Sequence, residues 1–265
     1  MNKIVSLTLR SLYQIILTIW APGVKVTFYT FLCVFSAFAL AATEPATPSS
    51  FHYLVDLSFG PAWISGATQN PQTFNWHTDL ETTFLHHGGS NSPVFNGAQF
   101  LGVQKKVTSN LIGQIGLVVA ETSTIAVNGS IWSGVDSSFH NFNYKFRLSH
   151  TDMGVKGKLI YDSTLIMNPY VSAGIGINFN QTQGLGISSL NNEEVFNLSV
   201  ENQSSNSFMY QLGVGLHEAI NAHLLLSIGY QLKHIGQTHL NVSGNQLSSG
   251  TLYLNIVQLE IAYLV

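Results

Sequence analysis

The chain has 265 residues, of which 45% are hydrophobic and only 9% charged, with a formal net charge of −3. An ordinary globular domain carries about 25% charged residues, so this balance points towards a membrane. The absence of basic clusters excludes a nucleic-acid binder, and no nucleic-acid partner is expected.

The chain opens on a targeting pattern. Lys25 is followed by VTFYTFLCVFSAFALAA, which is a basic flank, an apolar core and small residues at Ala39 and Ala41. This is the layout of a secretory signal with an A-x-A-like cleavage site, and it predicts a mature chain beginning near Ala42 or Thr43. Residues 1–42 are assigned to the signal, with Met1 to Gly23 as an extended leading region. Residues 43–52 form a short lead-in, and 53–265 the body. The single cysteine, Cys33, falls inside the signal, which excludes disulfides, thiol catalysis and cysteine metal sites from the mature chain. All 13 acidic residues but only seven of the ten basic ones lie beyond residue 42, a mature net charge of −6. No later apolar run approaches the roughly 20 residues that a spanning helix needs.

Eight strand candidates follow, recognised by side chains that alternate between two faces. The first, Tyr53–Ile64, sets Tyr53, Val55, Leu57, Phe59 and Trp63 against Leu54, Asp56, Ser58, Gly60 and Ala62. The second, about Phe95–Lys106, alternates poorly, with Leu101 and Val103 assigned to the outer face. The third is Leu111–Glu121, and the fourth runs from about Phe142 to Ile160. In its lower half Met153, Val155 and Leu159 oppose Asp152, Lys156 and Lys158. The fifth, Tyr170–Asn180, alternates most cleanly, and the sixth is Phe208–His217. The seventh, Leu224–Ile235, places Lys233 and Gln231 on its polar face. The last, Thr251–Val265, alternates strictly from Val257, with Gln258 and Glu260 opposite Val257, Leu259, Ile261 and Tyr263.

The connections alternate long, short, long, short, long, short, long. The long ones are Ser65–Pro93, Thr122–Asn141, Gln181–Asn206 and Gln237–Ser249, all polar. Outer-membrane barrels have long external loops, short periplasmic turns and an even strand count. In a membrane with no water to satisfy backbone groups, a sheet must close on itself. The prediction is an all-β, eight-stranded antiparallel up-and-down transmembrane barrel, apolar outside and polar inside. Trp63, Phe179, Tyr210 and Tyr263, near strand ends, are the expected aromatic girdle.

FGPAW (Phe59–Trp63), HTDMGVKGKL (His150–Leu159), NPYVSAGIGINF (Asn168–Phe179), LSIGYQL (Leu226–Leu232) and the terminal LEIAYLV together resemble the small eight-stranded outer-membrane barrels of the OmpA, OmpW and opacity type. The resemblance covers the mature chain. It implies residence in the outer membrane of a Gram-negative cell, and a C-terminal strand read by the outer-membrane assembly machinery. The chain departs from that pattern in ending on Val265 rather than an aromatic residue.

Inside the barrel the alternation places Asp56, Lys156, Lys158, Lys233 and Glu260, with Gln114, Gln211, Gln231 and Gln258. A buried charge is costly unless paired, so Asp56 and Glu260, on neighbouring strands, are expected to share lysine partners across the lumen. Such a network either plugs the barrel or lines a gated path. If the fourth strand has no bulge, Lys145 and Arg147 point outward just above the membrane, at the level of lipopolysaccharide phosphates. Loop acids Asp79, Glu81, Asp136, Glu193, Glu194 and Glu201 and loop histidines His77, His86 and His87 are read as ordinary loop composition, and no metal site or cofactor is expected. His217-Glu218 with His223 lacks the H-E-x-x-H spacing of a zinc protease. None of the ten histidines has serine two positions on, the element a barrel lipid deacylase would resemble.

The expectation is therefore a non-enzymatic barrel with a structural or surface-interaction role, adhesin- or opacity-like, with a narrow plugged lumen. Its partners would be outer-membrane lipid, lipopolysaccharide and host or neighbouring surface proteins. A small-solute channel is the second reading, and a lipid-modifying enzyme the third.

Overall fold

The computed structural model describes residues 51–265 except 67–70, 76–80, 90–91, 135–139, 164–165, 191–199 and 244. The expected signal and cleavage site lie outside the described residues, as do His77, Asp79, Asp136, Glu193 and Glu194. Among the described residues there are eleven strands: β1 (Phe51–Ser65), β2 (Gln72–Asn75), β3 (Glu81–Gly89), β4 (Val94–Thr108), β5 (Leu111–Gly134), β6 (His140–Tyr161), β7 (Asn168–Ser189), β8 (Val200–Glu201), β9 (Gln203–Ala219), β10 (Leu224–Val242) and β11 (Asn245–Leu264).

Eight of them close a ring in the order β1, β4, β5, β6, β7, β9, β10, β11, every neighbour antiparallel. The stagger of the closure is read from the register. From Lys158, partners run through Ser172, Gly213, Gln231 and Ile256 to Ala62 of β1. In the other direction they run through Gln114 and Gln104 to His52 of the same strand. The sheet thus closes ten residues out of step, and strands tilted by about 40° enclose an interior just wide enough for side chains.

Around the lower two-thirds of the ring the outer face is apolar. Leu117 and Ile175 are each 60% exposed, and Met153, Val171, Leu212 and Ile228 share that face. On β1 the ten steps from Tyr53 to Trp63 rise roughly 25 Å along the axis, at about 3.3 Å per residue and this tilt, which matches the apolar band of an outer-membrane barrel. The inner face is polar, and towards the short-turn end it closes on an apolar floor that includes Leu54, Phe100, Leu225, Ala262 and Leu264.

Above that band the expectation of polar loops gives way to more strand. β5 runs on to Gly134, β6 begins at His140, β7 continues to Ser189, and β10 and β11 reach to within two residues of each other across Ser243 and residue 244. There the polarity reverses. Phe84, Ile125, Val127, Phe142, Tyr144, Phe146, Leu148, Leu252, Leu254 and Ile256 point inward and form one apolar core. No lipid faces this storey, so its hydrophobic residues gain by turning inward, as in a water-soluble barrel. Bulges effect the change. β5 slips between Thr122 and Ile125, β7 carries one extra residue opposite the Lys145–Arg147 step, and β10 turns at Gly236 with φ +83°. β6 carries one extra residue at Asn141, opposite the Ile131–Trp132 step, and none from Phe142 to Ile160, so its upper half from Tyr144 shares the faces of its lower half. It carries Tyr144, Phe146, Leu148, His150, Asp152, Lys156 and Lys158 on one buried face.

The hairpin β2–β3 continues the wall above β4, pairing with β5 from Gly89–Val127 to Glu81–Gly134. On its other side Gln72 bonds to β11. Gln72 donates from Nε2 to the Ser248 carbonyl at 2.6 Å and accepts from the Ser248 N–H at 2.9 Å, in place of a rung of backbone pairing.

Candidate functional site

The side chains facing the lumen form a stack of layers, set by strand tilt. Just above the floor, Glu260 accepts from Lys156 at 3.2 Å, from Lys158, and from Gln258 at 2.6 Å. The Lys158 ammonium also donates to Ser227 Oγ at 3.1 Å and lies 4.0 Å above the Tyr170 ring. Ser227 Oγ is in turn 2.8 Å from His217 Nδ1. Tyr170 lies along the inner wall over Gly215 and Gly229 of the next two strands, where a side chain on either glycine would strike its ring or hydroxyl. The next layer holds amides, with Gln231 donating to Gln211. Above it Lys233 donates to Asp152 at 2.7 Å, Asp152 is 3.3 Å from His150 Nε2, and His150 Nδ1 is 2.7 Å from Asn180.

All five expected lumen residues are buried and inward. Their grouping differs from the expectation. Lys233 stands higher than Glu260 and pairs with Asp152 across the barrel, because β10 and β6 reach that level together. Asp56 is buried, yet its Oδ1 has no hydrogen-bond partner, because both nearby lysines bond to Glu260. Among the buried described residues three acids (Asp56, Asp152, Glu260) face three lysines (Lys156, Lys158, Lys233), so the formal charges of the column are equal in number. Exposure of 5% or less for each leaves no open lumen beside them. The Ser227–His217 pair escaped the sequence reading because the two are joined across neighbouring strands, ten residues apart.

On the outside, Lys145 and Arg147 are exposed and separated by one residue along β6. Their partners across the sheet are uncharged: Asn128 and Ala126 on β5, Gly186 and Gln183 on β7. Trp63, Phe179 and Tyr210 lie at the upper edge of the apolar band and Tyr263 at its lower edge. Tyr210 stacks on His234 at 4.6 Å, and Tyr253 meets the same imidazole edge-on at 5.3 Å. Among the described residues no cluster of three or more His, Cys, Asp or Glu is placed to hold a metal.

No protein-family model and no curated protein matches the chain. Solved structures do. The outer-membrane protease OmpT of Escherichia coli is 8% identical over 84% of this chain and 100% of its own, with a TM-score of 0.44. Neisserial surface protein A is 12% identical over 81% and 97%, at 0.38. The outer membrane protein W of E. coli is 14% identical over 82% and 99%, at 0.35. At these identities the likeness concerns the fold alone, and the barrel itself rests on the closed ring of strand pairs.

Proposed function

We propose that the chain is an integral outer-membrane barrel with a sealed lumen and a structural or surface-interaction role, whose working surface is the storey above the membrane. The observation that carries this reading is the column of buried charges roofed by an apolar core. Three lysines and three acids are buried together, with Leu148, Ile256 and Leu254 closing over them. A solute path would need to break buried ion pairs and cross an apolar plug, each a steep cost in a low-dielectric interior. The mature chain in a planar bilayer is therefore expected to be silent. Reproducible conductance steps that change in a Lys156→Ala, Lys158→Ala double variant would establish the channel reading instead.

The same surface supplies a contact for lipopolysaccharide. The apolar band ends on β7 at Phe179, level with Thr151 of β6, and Arg147 and Lys145 follow four and six residues further up. That is the level of headgroup phosphates, where two neighbouring cations whose cross-strand partners are uncharged form charge-assisted hydrogen bonds. Lys145→Ala with Arg147→Ala is expected to weaken lipopolysaccharide binding by roughly tenfold, read by titration of the refolded protein. Unchanged binding would remove this contact while leaving the sealed barrel in place.

A further inference from the structure

Just above the apolar band both strands of the β10–β11 hairpin bend at one level. β10 passes through Gly236 at φ +83° and β11 through Gly250 at φ +72°. Gly236 lies opposite Leu252, two residues from Gly250. Only glycine enters this region freely. Below the bend the two strands pair without interruption from Leu224–Tyr263 to His234–Tyr253.

Above the bend the borders of the hairpin change. Towards β9, backbone pairing stops at His234–Tyr210, and from Ile235 to Leu240 β10 pairs with no strand on that side. Side chains stand in. The Ile235 carbonyl accepts from Ser207 Oγ of β9 at 2.5 Å and from Asn178 Nδ2 of β7 at 2.7 Å. Thr182 Oγ1 of β7 lies 2.9 Å from the Gln203 carbonyl of β9 and 3.0 Å from the His239 carbonyl of β10. A hydroxyl has one hydrogen to donate, so the two carbonyls share it. On the same two residues Gln203 Oε1 and His239 Nδ1 are buried without a hydrogen-bond partner, a cost that the closed wall carries. Pairing resumes at Asn241–Glu201 and Val242–Val200 with β8, which among the described residues pairs with no other strand. On the far border no described strand pairing joins β11 to β2, where Gln72 meets Ser248.

Within itself the tip is well held. Thr238 Oγ1 donates to Ser249 Oγ at 2.8 Å, and four rungs run from His239–Ser248 to Val242–Asn245. Among its described residues Val242 and Leu247 are the apolar side chains that enter the upper core.

We propose that the tip of this hairpin, Gln237–Val242 with Asn245–Ser249, is a flap that swings from the upper wall as one piece about Gly236 and Gly250, carrying β8 with it. A unit with its own pairing, few apolar anchors and side-chain borders opens at less than the cost of global unfolding. Hinges of this kind place the change in a few backbone positions. Opening withdraws Val242 and Leu247 and bares an apolar recess above the membrane. Leu254 and Ile256, which close over the charged column, lie below the bend and stay in place. The flap thus presents a hydrophobic surface to the outside without opening a path through the barrel, and it is independent of whether the lumen conducts.

The test is hydrogen exchange, read by mass spectrometry on the full mature chain in lipid vesicles. Amides of the tip are expected to exchange together, about tenfold faster than those of Gly129–Ile131 and Asn143–Arg147, which stand in the same storey with ladders on both sides. Thr182→Val removes the shared hydroxyl, and Gln72→Leu removes the bond to Ser248. Each is expected to speed exchange of the tip severalfold and to leave Leu224–Lys233 unchanged. Gln72→Cys with Ser248→Cys, joined by a short bismaleimide, is expected to slow the tip relative to the unjoined pair. Heat-dependent gel migration confirms that each variant is folded. Equal rates in the tip and the comparison segments would overturn the proposal. So would one common rate change across the whole storey, or a tip that neither the border variants nor the cross-link affect.

Discussion

Glu260→Leu is expected to destabilise the folded barrel by about 3–5 kcal/mol, the usual cost of leaving a buried charge without its partner. Glu260 accepts from both Lys156 and Lys158, and all three side chains are almost wholly buried. Removing the carboxylate leaves two ammonium groups facing each other inside the wall. Asp56 is close by, but one carboxylate would then stand against two lysines. The count of three against three becomes two against three, and no solvent reaches the site to relieve it. Unfolding in urea from lipid vesicles, followed by tryptophan fluorescence and by gel migration, measures the loss. A triple variant that adds Lys156→Met and Lys158→Met should recover much of it, since an apolar replacement of a whole ion cluster is often neutral or stabilising. A loss below about 1 kcal/mol for Glu260→Leu alone would mean that the ion cluster is not what holds this layer together.

Phe84→Ala is expected to lower the stability of the upper storey by about 3–5 kcal/mol, the range for emptying a buried aromatic site. Phe84 is completely buried and meets Tyr144 and Phe74 edge-on, each at 5.7 Å. With Phe74 of β2 beside it, it joins the β2–β3 hairpin to the core. The loss should stay local, because the membrane band has its own contacts and a β-structure can open in parts. Whole cells carrying the variant should show proteolytic cleavage between Gly66 and Val94, while the barrel keeps its heat-dependent migration. Simultaneous loss of both properties would show that the two storeys fold as one unit. Resistance equal to the parent would show that the hairpin is held by its pairing with β5 alone.

The two storeys were unequally legible in the sequence. From Val257 onward β11 alternates strictly, because lipid on one side and the charged column on the other both act on a period of two. Above it the same strand keeps that period only as far as Leu252, with Ile256, Leu254 and Leu252 now the buried residues, and it slips at Gly250 so that Ser249 and Leu247 are buried beyond. Short apolar residues spaced among Asn, Ser and Gly look like loop until the inversion is known. β6 was the exception, since Tyr144, Phe146 and His150 could be placed on the face of Lys156 by counting back along an unbroken strand. The lumen residues were legible as inward-facing, because that follows from parity alone. Their partners were not. Lys233 and Asp152 are 81 residues apart and meet across the barrel, and only the ten-residue stagger of the closure decides which rungs share a level.

The glutamine that joins the β2–β3 hairpin to β11 has a consequence for how such a molecule tolerates change. A backbone ladder fixes length and register together, so an insertion into a laddered wall displaces every rung beyond it. The Gln72 amide bridging to Ser248 fixes a point without fixing the register of that border. The β2–β3 hairpin is laddered on its β5 side alone, above the membrane band, so a change of length on its β11 side does not re-register a strand in the membrane. A change in that hairpin is the one that disturbs the membrane band least.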